Sequence, residues 1–186
     1  MNRDEIEAGD GSVIMEREYP HPPERVWEAL TDQKALSDWL LPTTTRPILG
    51  GGFQMIQRAP GGRPRRVQCR VVELDAPHRL AYSWKSEEDA APSLVCWTLE
   101  PVEGGTHVRL EHILPEGGNI ALSASAGVRF RGASALACLG LWLGRIMANG
   151  KYGRYSTDRT GISHASDLSH LSRGLAKDPR RAATCR

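Results

Sequence analysis

VQCRVVELDAPHRLAYSWK, Val67–Lys85, reads as two strands joined by a turn. Val67–Leu74 is rich in β-branched residues, and Asp75-Ala76-Pro77 turns the chain. In Arg79–Lys85, Leu80, Tyr82 and Trp84 alternate with Ala81, Ser83 and Lys85. Successive strand residues point to opposite faces, so the first set shares one side of a sheet.

The pattern continues in both directions. Downstream, Glu87–Pro92 is an acidic loop and Leu94–Pro101 a strand, followed by the hairpin turn Glu103-Gly104-Gly105. In Thr106–Leu114, Val108, Leu110, His112 and Leu114 alternate with His107, Arg109, Glu111 and Ile113. Upstream, Pro60–Pro64 is a hairpin loop, Phe53–Arg58 a strand, and Gly50-Gly51-Gly52 the turn into it. Ser12–Tyr19 is a further strand. After it, Pro23 suits the first turn of a helix, where its missing N–H has no partner to lose. Val26, Trp27 and Leu30 recur at helical spacing, and Asp32 caps a second short helix carrying Leu36, Trp39 and Leu40. Beyond Pro115 the period becomes helical from about Ile120 to Ala148, with a break near Gly127 or Gly132. Leu136, Leu139, Leu143, Ile146 and Met147 form its packed stripe, and Gly150 ends it. The expectation is an α+β fold: about six to seven antiparallel strands curved around one long C-terminal helix, with two short helices after the first strand.

Composition narrows the function. Residues 1–150 hold 16 Lys/Arg and 19 Asp/Glu, a net charge of −3; residues 151–186 hold 8 and 3, a net of +5. The body therefore lacks the basic excess of a nucleic-acid or anionic-membrane binder. No nucleic acid, membrane span, metal or cofactor is expected. The organisation read from this is a flexible N-terminus over 1–11, a domain over 12–150, and a basic, disordered tail over 151–186. Cys69, Cys96, Cys138 and Cys185 form no CxxC pair, which suits reduced thiols in the cytoplasm. His164, Asp167 and His170 recur in threes, but their Ser/Gly-rich setting argues against a firm helix or metal site. Arg63, Arg65 and Arg66 read as an exposed basic loop.

Arg17–Asp32 with Leu36–Leu40, then Gly51-Gly52-Phe53, Val72–Trp84, Leu99-Glu100-Pro101 and Gly104–Val108 with His112, together resemble the SRPBCC superfamily. Within it the chain is similar to the group homologous to the C-terminal domain of the heat-shock chaperone ATPase activator. The resemblance covers about residues 12–150. It implies the helix-grip fold shared with the birch-pollen allergen and START domains, and an interior cavity between sheet and terminal helix. The cavity candidates are Trp39, Phe53, Met55, Tyr82, Trp84 and Trp97. His112, Leu136, Leu139 and Leu143 complete them. Tyr82, Trp84 and Trp97 either line such a cavity or fill it.

The terminal helix is unusual in its small residues, among them Gly132, Ala133, Ala137, Gly140 and Gly144. Each mid-helix Gly costs about 1 kcal/mol relative to Ala. Room for a ligand, close packing on the sheet, or contact with a second subunit would each offset that cost. His112 points inward as a polar ligand contact, a general base or a structural residue. No Ser–His–Asp or Cys–His arrangement follows from spacing, and no residue is assigned a catalytic role. The reading is binding of a small hydrophobic, aromatic or lipid-like molecule by a monomer or homodimer. The alternatives are a co-chaperone-like interaction module, with a role in stress response, and an enzyme resembling polyketide aromatase/cyclases.

Overall fold

The computed structural model describes residues 5–9, 11–57, 63–87, 89, 91–115, 129–130 and 133–149. All belong to one compact unit, Met1–Gly150. The strands are β1 (Glu5–Gly9), β2 (Ser12–Tyr19), β3 (Gly52–Gln57), β4 (Arg65–Asp75), β5 (Arg79–Ser86), β6 (Ser93–Val102) and β7 (Gly105–Ile113). They form one antiparallel sheet in the order β1-β2-β7-β6-β5-β4-β3. A small hairpin, β8 (Arg129–Phe130) with β9 (Ala133–Ser134), precedes the terminal helix. The helices are α1 (Pro23–Thr31), α2 (Gln33–Trp39) and α3 (Ala135–Asn149). This is the helix-grip architecture the sequence predicts.

Two elements differ from that reading. β1 lies within the segment read as a flexible N-terminus. Gly9 pairs with Ser12, so β1 gives β2 a partner, and Gly11, just before β2, has φ +84, a conformation that suits glycine. The long helix begins at Ala135, because Ala133 and Ser134 pair with Phe130 and Arg129 instead. The segment 116–128, expected to be partly helical, lies outside the described residues.

Helix starts follow local chemistry. Pro23 occupies the first turn of α1. The Asp32 side chain accepts from Ala35 N at 2.8 Å, capping α2. The Trp39 indole donates to Ala29 O at 2.8 Å, which satisfies a buried N–H and ties the two helices together. Val26, Trp27, Ala29 and Leu30 are buried on α1, as are Ala35, Leu36 and Trp39 on α2.

Register fixes which side chains share the inner face. One row runs Val13–His112–Val95–Tyr82–Val71 across β2, β7, β6, β5 and β4. A neighbouring row runs Met15–Leu110–Trp97–Leu80, and another runs Ser93–Trp84–Cys69–Phe53. All of these residues are buried. A bulge between Val71 and Glu73 interrupts the alternation and leaves Val72 exposed. The outer face carries ion pairs such as Arg109–Glu16 at 2.6 Å and Arg79–Glu73 at 2.8 Å. The free edge of β3 is met by the chain after α2: Ile56 N donates to Pro42 O, and Thr44 N donates to Gln54 O.

α3 packs on the sheet through β2. The Tyr19 hydroxyl donates to Leu136 O at 2.6 Å. A Cβ at Gly140 would lie 3.0 Å from Cε1 of the Tyr19 ring. Ala135, Leu136, Leu139, Trp142 and Leu143 are buried, whereas Leu141 is exposed. The side chains of Ile146 and Met147, the rest of the expected stripe, are outside those described. Cys69 and Cys138 carry free thiols. Cys96 departs from the expectation of reduced cysteines, since it is disulfide-bonded.

Candidate functional site

The inner face brings most of the candidate residues together, each from a different strand position. Phe53 and Met55 come from β3, Tyr82 and Trp84 from β5, Trp97 from β6 and His112 from β7. Trp39 arrives from α2, and Leu136, Leu139 and Leu143 from α3; all ten are buried. Phe53 and Tyr82 meet edge to face at 5.5 Å between ring centroids, Trp39 and Trp97 at 6.2 Å, and Trp84 and His112 at 6.3 Å. These are favoured aromatic geometries.

Polar atoms are embedded in this apolar surface. Trp97 Nε1 donates to the Tyr82 hydroxyl at 3.2 Å. Ser93 Oγ donates to Trp84 O at 3.1 Å and lies 2.7 Å from His112 Nε2. His112 Nδ1 is buried with no hydrogen-bond partner among the described residues. Desolvation dominates the imidazole: it lowers the His112 pKa to about 4, against the opposing pull of the Asp89 carboxylate. The ring is therefore neutral at neutral pH. Burial pushes the Cys69 thiol up to about 12, so it is no nucleophile there. Burial likewise raises Tyr82, with Cys69 adding to the effect and the Trp97 hydrogen bond opposing it. The phenol keeps its proton.

Ser93 and Cys69 were absent from the candidates drawn from sequence. Cys69 could have been found by extending the alternation of Val67 and Val71 through it. Ser93 could not: it was read as part of the boundary between an acidic loop and a strand, and its role depends on β6–β7 register. Among the described residues, no group of three or more His, Cys, Asp or Glu gathers as a metal site. His164, Asp167 and His170 lie outside the described residues.

The small residues of α3 divide into two kinds. Gly140 is small because Tyr19 and Arg17 occupy the space a Cβ would need. A Cβ at Gly144 would meet nothing within 4 Å among the described residues, so their packing does not require glycine there.

The outer face carries a different feature, an open groove of about 590 Å³ over β3, β4 and β5. Gln54, Gln68, Arg70, Ser83 and Lys85 line it. Arg70 and Lys85 donate to backbone oxygens of Gly50 and Asp89 rather than to carboxylates. Thr44, Gly52, Phe53, Cys69 and Pro92 complete the lining, so the groove mixes polar and apolar groups.

Residues 20–133 match the family model for Activator of Hsp90 ATPase homolog 1-like proteins. The chain belongs to this family. The matched span begins just after β2 and ends at the first residue of β9, and so contains β3 to β8 but neither β1 nor β2. No match is found among curated proteins. Solved structures share the fold. A protein from Rhodobacter sphaeroides is 26% identical, with a TM-score of 0.62 over 77% of this chain and 99% of that one. CalU16 from Micromonospora echinospora is 25% identical, with a TM-score of 0.57 over 74% and 79%. DynU16, from the dynemicin biosynthetic locus, shares the fold at 20% identity, with a TM-score of 0.58 over 79% and 51%. The activator-homologue domain thus shares its fold with these structures. No helix among the described residues is long and apolar enough to cross a membrane.

Proposed function

We propose that this activator-homologue domain binds a small, largely apolar molecule between the inner face of the sheet and α3. The carrying observation is His112. Its Nδ1 is buried without a partner on a face otherwise made of aromatic and aliphatic groups. Buried polar atoms are nearly always satisfied, because leaving one unpaired costs about 1–3 kcal/mol. A ligand that completes this atom's hydrogen bonding accounts for its position. Trp84, edge to face with His112, supplies an aromatic wall beside it.

Apolar burial gives roughly 25 cal/mol per Å². A ligand hiding on the order of 300 Å² there gains several kcal/mol before association costs, which suits micromolar affinity. The family resemblance supports the reading, since it implies an interior cavity in this place.

The test is a thermal-shift screen of the full chain against apolar acids, flavonoids, sterols and polyketide-like aromatics. A ligand at about a hundredfold over its dissociation constant adds roughly 2.7 kcal/mol. For a domain of this size that is on the order of 5–10 °C. A shift confined to one chemical class, lost in Trp84→Ala or His112→Ala, is the expected result. A flat response to every class overturns the reading and turns attention to a chaperone or other protein partner.

A further inference from the structure

The hydrogen-bond roles on the inner face can be assigned atom by atom. Ser93 Oγ has one hydrogen, and that hydrogen goes to Trp84 O. His112 Nε2 lies 2.7 Å from the same oxygen, and both contacts are hydrogen bonds at once when Nε2 is the donor. This selects one tautomer, with the proton on Nε2. His112 Nδ1 is left as a bare lone pair, an acceptor with no donor.

Tyr82 carries the complementary vacancy. An indole Nε1–H can only donate, so the Tyr82 oxygen accepts from Trp97. The phenol's own hydrogen then has no acceptor among the described residues, although the side chain is buried. A spare donor and a spare acceptor thus face the same interior. They stand in one cross-strand row, Tyr82–Val95–His112, with Val95 between them. Two strand spacings separate their backbones by about 10 Å. Trp84 lies two residues from Tyr82 on the same face of β5 and packs edge to face on the His112 ring.

Resting on the interior-binding reading above, we infer that the ligand is a neutral, planar molecule with a hydroxyl that donates to His112 Nδ1 and a carbonyl that accepts from the Tyr82 hydroxyl. Its apolar body lies over Val95 and against Trp84. Neutrality follows from the surroundings. His112, Tyr82, Cys69 and Ser93 all face the interior uncharged, and the one charge acting on His112 is the negative one of Asp89. A buried anion would find no countercharge among these groups.

The test compares three naphthalenes on the full chain by tryptophan quenching: 6-acetyl-2-naphthol, its methyl ether, and 2-ethylnaphthalene. The hydroxy ketone should bind about tenfold tighter than its ether, and the ether about tenfold tighter than the hydrocarbon, one hydrogen bond at each step. Tyr82→Phe should remove the second step, so that the ether and 2-ethylnaphthalene bind the variant equally. A loss of structure alone would weaken all three compounds together. Long-range ¹H–¹⁵N correlation of the unliganded protein should show His112 protonated at Nε2. Equal affinities for the three compounds, or a proton on Nδ1, overturn the inference and leave the interior reading standing. Failure of all three to bind overturns both.

Discussion

Acid should weaken the fold through His112, and the size of the effect follows from its burial. The ordinary pKa of 6.5 falls to about 4 in the folded chain, chiefly by desolvation. Between those values the unfolded chain holds a proton that the folded chain does not. Stability therefore rises with pH across this window: the contribution is complete above pH 6.5 and has been lost once pH falls through 4. At about 1.4 kcal/mol for each pH unit, two and a half units come to about 3 kcal/mol. His21, lowered by burial and then by Arg25, acts in the same direction. The comparison that isolates His112 is with His112→Phe, which retains a ring of similar size and removes the titration. Urea unfolding followed by tryptophan fluorescence at pH 7, 5.5 and 4.5 gives the slope for each protein. Wild type should lose about 2–3 kcal/mol more than the variant on going from pH 7 to 4.5. Equal slopes would refute the reasoning, because they would mean that the imidazole takes up its proton in the folded state without penalty.

Further predictions concern α3. Gly144→Ala should raise stability by about 1 kcal/mol, since the new methyl meets open space and helix propensity improves; thermal unfolding reads the gain. Gly140→Ala should gain less than Gly144→Ala or lose stability, because its methyl lies 3.0 Å from the Tyr19 ring and 3.4 Å from Arg17 Nη1. Tyr19→Phe should cost about 1 kcal/mol in chemical denaturation by removing the hydrogen bond to Leu136 O.

Most of the fold was legible because its signals are local. The alternation in Val67–Lys85 fixes which residues share a face, and Pro23 and Asp32 mark the helix starts. β1 was missed although Asp10-Gly11 is a strong hairpin signal, since the five residues before it were read only as an acidic, polar start. The start of α3 was misplaced because Ala133 and Ser134 suit a helix by composition, whereas their pairing with Phe130 and Arg129 is a tertiary choice. The inner face was legible at the level of residues: alternation put Tyr82, Trp84 and His112 on the inward side, and the structure buries all three. Its hydrogen bonding was not: that Ser93 fixes the His112 tautomer depends on β6–β7 register, which no single strand encodes. Nor could composition decide that Gly140 answers to Tyr19, more than a hundred residues earlier in the chain, while Gly144 meets none of the described residues.

The central claim is that ligand enters the interior between sheet and helix. It is tested most directly by titrating ¹⁵N-labelled protein with 6-acetyl-2-naphthol and following the tryptophan indole and backbone amide signals. Shifts should concentrate at Trp84 and Trp97, at His112, and along the buried face of α3 at Leu136 and Leu139. Shifts confined to Gln68, Arg70, Ser83 and Lys85 would place binding in the outer groove and contradict the account, as would an unchanged spectrum.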